Sequence, residues 1–267
     1  MSIQIRVWND CSNGCSFCSL SHKGITNIAD KKIRLDKISK IKNNKIGLIG
    51  GEFFEGQLKG CEEEWLSMIA TLRCNSLFIT ANLIKDPYLL KETIRLRPDI
   101  LICTSYDTVG RFKSENQKEM WLKRVKQLKN VFCTIIPTQE MIHDPFVDKI
   151  PCGINLCEPH LGIEWYATVD KSNYHNELIK QNNRFSLPKR NDLLRWIYGH
   201  PNILKIMKNY KTTHFNDIYM FDNSNMLIPE ETNRFNDKNF VAKCGHQYFS
   251  RCYADSENCL MCDLEEM

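Results

Sequence analysis

The sequence predicts an α/β fold built on a parallel sheet. Short apolar runs recur along residues 3–158, and amphipathic helical stretches separate them. Cysteines and glycines gather where the first two of those runs end. Residues 2–8, "SIQIRVW", alternate Ile3, Ile5 and Val7 with Gln4, Arg6 and Trp8, the period of a strand. "KIGLIGG" (45–51) is a second apolar run closed by glycines. "EEEWLSMIATLR" (62–73) sets Trp65, Met68, Ile69 and Leu72 at helical spacing. "NSLFITANL" (75–83) predicts a third strand, and "PYLLKETIRLR" (87–97) a helix with Pro87 in its first turn. "DILICTSYD" (99–107) predicts the fourth strand. In "SENQKEMWLKRVKQL" (114–128), Ser114 and Gln117 form a capping-box pair ahead of Trp121, Val125 and Leu128. "VFCTIIPT" (131–138) and "CGINLCEP" (152–159) predict strands five and six.

Six such units, joined by crossovers of one hand, form an open sheet or a curled partial barrel. Either way a ligand site belongs at the carboxyl ends of the strands. Beyond residue 160 the pattern weakens. A polar stretch (171–191) precedes a helical one (191–209) interrupted by Gly199 and Pro201. "DIYMFDNSNMLIPE" (217–230) predicts a hairpin.

The 267 residues are 42% hydrophobic and 25% charged, with a net charge of +4, too small an excess to argue for nucleic-acid binding by itself. The opening residues lack a basic-then-apolar leader, and no apolar run approaches the roughly 20 residues of a membrane span. The expectation is a cytoplasmic protein with no membrane partner, in a compartment where disulfides are rare. Seven of its 13 cysteines fall in two tight groups, at 11–18 and 244–262. The other six (Cys61, Cys74, Cys103, Cys133, Cys152 and Cys157) read as small buried hydrophobes.

The first group, "DCSNGCSFCSL" (10–20), is C-x3-C-x2-C with small, turn-forming residues between the thiols. Thiolates hold zinc or iron–sulfur clusters. His22 follows Cys18 at C-x3-H spacing, so a closed zinc site of three cysteines and one histidine is one reading. The second group, Cys244, Cys252, Cys259 and Cys262, supplies four thiolates that fit either a closed zinc site or a complete [4Fe–4S] cluster.

The first group, with Phe17 as the aromatic before Cys18, resembles the signature of the radical S-adenosylmethionine (SAM) superfamily. "IGGE" (49–52) resembles that family's Gly-Gly-Glu motif, and "CTSYDT" (103–108) its fourth-strand Ser-x-Asp segment. On the fifth strand Ile135 and Glu140 match the family pattern, while Cys133 and Pro137 stand where it has glycines. "ITANL" (79–83) is similar to its third-strand Thr-x-Asn stretch. The resemblance spans about residues 3–158 and implies a partial (β/α)6 TIM-like barrel. Cys11, Cys15 and Cys18 would hold a [4Fe–4S] cluster whose fourth iron is left open for SAM. Phe17, Gly50, Gly51, Glu52, Ser105 and Ile135 would bind SAM, which reductive cleavage turns into a 5′-deoxyadenosyl radical that abstracts a substrate hydrogen. A one-electron reductant such as flavodoxin or ferredoxin is implied; no side chain is assigned a catalytic role.

The expected organisation is a core at 1–160, a covering, substrate-binding segment at 161–243 and a cysteine-rich metal site at 244–267. The tail suggests a peptide or protein substrate by analogy. The aromatics Trp165, Tyr166, Tyr248 and Phe249, which stack on bases if exposed, suggest a nucleotide or nucleic-acid base. The rival class is a non-catalytic zinc-binding module with one three-cysteine-one-histidine site and one four-cysteine site.

Overall fold

The computed structural model describes residues 2–13, 15, 26–107, 110–135, 138–156, 190–200, 202 and 217–229. Along the chain run β1 (Ser2–Arg6), α1 (Ile28–Ser39), β2 (Lys45–Ile49), α2 (Glu62–Thr71), β3 (Ser76–Thr80), α3 (Leu90–Leu96), β4 (Leu101–Tyr106), α4 (Glu115–Gln127), β5 (Val131–Ile135), β6 (Gly153–Leu156), α5 (Arg190–Gly199), β7 (Asp217–Phe221) and β8 (Leu227–Pro229). They form an α/β fold around one eight-stranded sheet of order β6-β5-β4-β3-β2-β1-β7-β8. All neighbours pair parallel except β7 with β8.

Strands one to six follow one another without reversal. In a doubly wound sheet the order would reverse and helices would cover both faces. Here the buried apolar side chains crowd one face. In register across the sheet, Ile5, Leu48, Ile79 and Ile102 are each no more than 1% exposed. Trp121 of α4 donates through its indole N–H to the Thr104 hydroxyl at 3.0 Å, which fixes that face as the helix side. Alternation turns Arg6, Thr80, Cys103, Ser105 and Thr134 to the opposite face, where they are half-buried. One face is therefore a helix-covered core. The other carries these polar groups together with the half-buried Ile49, Leu101 and Met220 and a Phe78–Phe132 contact at 5.6 Å.

The predicted hairpin is β7–β8, and β7 pairs parallel with β1, so it extends the main sheet. The helix over 62–73 buries Trp65, Met68 and Ile69 as expected. At α4, Ser114 accepts from the Gln117 N–H at 3.3 Å, while the Gln117 side chain reaches back to the Lys113 N–H, one residue beyond the usual box partner. The helix expected from Pro87 begins only at Leu90, because Leu89 adopts a left-handed conformation (φ 63°) that interrupts the turn. One helix went unforeseen. The buried stripe of α1 is Lys31, Leu35 and Ile38, and its first member is a lysine, so the apolar period is broken.

Candidate functional site

The first cysteine group leaves the sheet directly after β1, and its loop closes at the neck. Asp10 accepts from the Thr26 N–H at 2.8 Å, so residues on either side of the cysteines meet. Lys31 pairs with the same carboxylate at 2.7 Å, both side chains no more than 6% exposed. The Lys31 ammonium also donates to the Gln57 carbonyl at 2.7 Å and lies 5.0 Å over the Trp8 ring. A buried lysine needs this many partners, because desolvating an unpaired ammonium costs several kcal/mol.

The same loop is stitched to three successive strand ends. After β2, the Gly51 and Glu52 N–H groups donate to the Trp8 and Asp10 carbonyls at 2.9 and 2.7 Å. After β3, Lys85 donates to the Ser12 hydroxyl at 2.9 Å. After β4, the Arg111 carbonyl accepts from the Asn13 side-chain amide at 3.1 Å. That amide also donates to Cys15 Sγ at 2.8 Å.

The two glycines are required by contact. A Cβ at Gly50 would stand 2.2 Å from the Trp8 carbonyl oxygen, and one at Gly51 would stand 2.1 Å from that of Asp10. Only a chain without side chains lets the cysteine loop lie on the β2 loop.

Glu52 is 1% exposed, and its carboxylate points into the protein. One oxygen accepts the Phe53 and Phe54 N–H groups at 2.9 and 3.0 Å, and the other the Asn82 N–H at 2.5 Å. The Trp8 indole donates to its backbone carbonyl at 2.8 Å. Glu52 thus ties the end of β2 to the end of β3. Burial, aided by Glu55, pushes its pKa up to about 7 against the pull of the three N–H donors. A raised acid pKa contributes stability that is full below the unfolded value and lost as pH rises through the folded one. The Glu52→Gln protein, which does not titrate there, is expected to be less stable by about 1–3 kcal/mol because its NH2 faces an N–H donor. The gap to the wild type should narrow between pH 5 and 8 in urea unfolding. A gap that widens would mean that the N–H cage outweighs burial.

Asn82 joins these parts. Its carbonyl accepts from the Thr104 hydroxyl at 3.2 Å and from Arg111 at 3.3 Å, and its side-chain oxygen accepts from the Ile84 N–H at 3.0 Å. Several buried polar atoms on this rim have no hydrogen-bond partner among the described residues: Asn9 Oδ1, Thr80 Oγ1, Asn82 Nδ2 and Arg111 Nε.

The sequence-predicted residues are distributed as follows. Cys11 is half-buried and Cys15 buried, both on the rim loop. Gly50, Gly51 and Glu52 lie against that loop. Ser105 is half-buried on the polar face of β4, and Asp107, just beyond, is 8% exposed. Ile135 is fully buried on the helix side, so it offers the polar face only its backbone. Phe17, Cys18, His22 and the four tail cysteines lie outside the described residues. Among the described residues no three His, Cys, Asp or Glu side chains converge as a metal site. The remaining described cysteines, Cys61, Cys74, Cys103, Cys133 and Cys152, are buried or half-buried. Burial raises the Cys133 thiol well above its usual pKa, and the Cys152 thiol to about 12. Both stay protonated and inert at neutral pH.

Sequence reasoning missed Asp10, Asn13, Lys31 and Arg111. The adjacency of Asp10 and Asn13 to the cysteines was the available signal. Nothing marked Lys31 or Arg111.

Comparison with protein-family profiles and with curated proteins returns no match. Solved structures of similar chain path include SuiB of Streptococcus suis, at 13% identity and TM-score 0.45, covering 83% of this chain and 49% of that one. Another is anSMEcpe with bound AdoMet and Cp18Cys peptide, at 12% identity and TM-score 0.45, covering 81% of this chain and 62% of that one. SuiB bound to S-adenosylmethionine matches at 17% identity and TM-score 0.37, covering 74% and 44%. The chain thus spans from 44% to 62% of the length of these structures. Among the described residues no helix is long and apolar enough to cross a membrane.

Proposed function

We propose that this chain is a radical SAM enzyme whose sheet curls into a partial barrel around a SAM site on the polar face. One observation carries the reading. The cysteine loop and the Gly-Gly-Glu turn, some forty residues apart in sequence, are joined backbone to backbone through Gly51 with Trp8 and Glu52 with Asp10. The donor set suits a cluster: soft thiols, with the buried Asn13 amide N–H against the sulfur of Cys15. Cys11, Cys15 and Cys18 would hold a [4Fe–4S] cluster, which would supply the one electron for reductive cleavage of SAM to methionine and a 5′-deoxyadenosyl radical.

The chain's own groups bind and orient. Gly50 and Gly51 seat the turn against the cysteine loop, so that its backbone carbonyls face a ligand's ammonium beside the thiols. Glu52 holds that turn to β3 and, with the two glycines, positions the methionine end of SAM. Ser105 meets the ribose, and the unmet donors of Thr80, Asn82 and Arg111 donate to the ligand's anionic or carbonyl oxygens. The helix-covered face excludes water on one side of the sheet. The substrate, a peptide or protein or else a nucleotide or nucleic-acid base, presents its hydrogen from the open face. The tail cysteines hold an auxiliary [4Fe–4S] cluster or zinc.

Metal analysis after anaerobic expression in iron-replete medium tests this. A brown, iron-loaded chain is expected; a colourless chain loaded with zinc at both cysteine groups would identify the zinc-binding module instead, since d¹⁰ zinc has no visible absorption. Cys15→Ala should lose the iron of the first group while metal bound by the tail remains.

A further inference from the structure

The side-chain amide of Asn13 has both of its hydrogens in use, one on Cys15 Sγ at 2.8 Å and one on the Arg111 carbonyl at 3.1 Å. The opposite amide orientation would set its oxygen against the Arg111 carbonyl, which can only accept, so the nitrogen end faces both that carbonyl and the sulfur. The residue is 3% exposed, and the Arg111 side chain is itself anchored on the Asn82 carbonyl. Asn13 is therefore a buried, fixed dipole aimed at one cysteine sulfur.

From this geometry we infer that Asn13 raises the reduction potential of the cluster by donating to Cys15 Sγ, with the Arg111 carbonyl holding the donor in place. The inference rests on the proposed radical SAM reading. On one-electron reduction the cluster and its thiolates gain a unit of negative charge. A hydrogen bond to sulfur is stronger in that state, and in a buried site water does not screen it. Asn13 thus favours the reduced form, the one that passes its electron on. It is a positioning residue that acts through Cys15.

The test is an EPR-monitored potentiometric titration of the full-length, anaerobically reconstituted protein with dithionite. The signal followed is the one that changes on addition of SAM, which separates the first cluster from any metal in the tail. In Asn13→Ala the ratio of reduced to oxidised cluster at a fixed poise should fall about tenfold, equivalent to about 59 mV for a one-electron couple. Asn13→Asp, which replaces the donor with an anionic acceptor, should fall at least as far. Asn13→Ser, which keeps one donor, should lie between alanine and wild type, and it decides on the same scale if the alanine variant loses iron. Full iron content with an unchanged or higher potential in these variants overturns the inference and leaves the enzyme reading intact. A wild-type chain that takes up no iron overturns both.

Discussion

Gly51→Ala should lower the melting temperature by roughly 6–12 °C, from about 3 kcal/mol of lost stability at roughly 2–4 °C per kcal/mol. The added methyl would sit 2.1 Å from the Asp10 carbonyl oxygen and 2.5 Å from its carbon, and 2.6 Å from the Asn9 oxygen. These are backbone atoms, so no side chain can swing aside. Either the β2 loop or the cysteine loop must move, and both hydrogen bonds between them (2.9 and 2.7 Å) weaken together, each worth about 1 kcal/mol. The same displacement separates Cys11 and Cys15 from the Gly-Gly-Glu turn, so iron retention should fall with stability. Gly199→Ala is the control: nothing stands within 4 Å of its added Cβ, and its melting temperature should stay near that of the wild type.

Lys31→Met should cost about 3–5 kcal/mol, the usual result of removing one partner of a buried ion pair. The carboxylate of Asp10, 5% exposed beside Lys31, would be left with the Thr26 N–H as its surviving partner. The Gln57 carbonyl and the Trp8 ring would lose their cation as well. The Asp10→Leu/Lys31→Met double variant removes both charges and should recover part of the stability in urea unfolding. It should recover little of the iron binding, because the link from Asp10 to Thr26 that closes the cysteine loop is gone. That split separates the pair's role in folding from its role in shaping the site.

The strands were legible because each carries a short apolar run that must be buried on the helix side: Ile46 and Leu48, Leu77 and Ile79, Ile102. Helix α2 was legible because Trp65, Met68 and Ile69 keep the helical period. Helix α1 was not, since its stripe starts with Lys31, a residue whose burial makes sense only once Asp10 is beside it. The site divides in the same way. Its cysteines and glycines could be read as local spacings. What holds them together could not, because Asn13 reaches Arg111 across 98 positions and the Asn82 N–H reaches Glu52 across 30. Glu52 shows the difference: its place in a Gly-Gly-Glu turn is a local pattern, whereas the tie from its carboxylate to the end of β3 is not.

The most direct measurement is the release of 5′-deoxyadenosine when the anaerobically reconstituted chain is given SAM and dithionite. The wild type should form it over time, and the Cys15→Ala protein should form none. An iron-loaded wild type that leaves SAM intact would contradict the assignment of the cysteine loop and the Gly-Gly-Glu turn to one SAM-cleaving site.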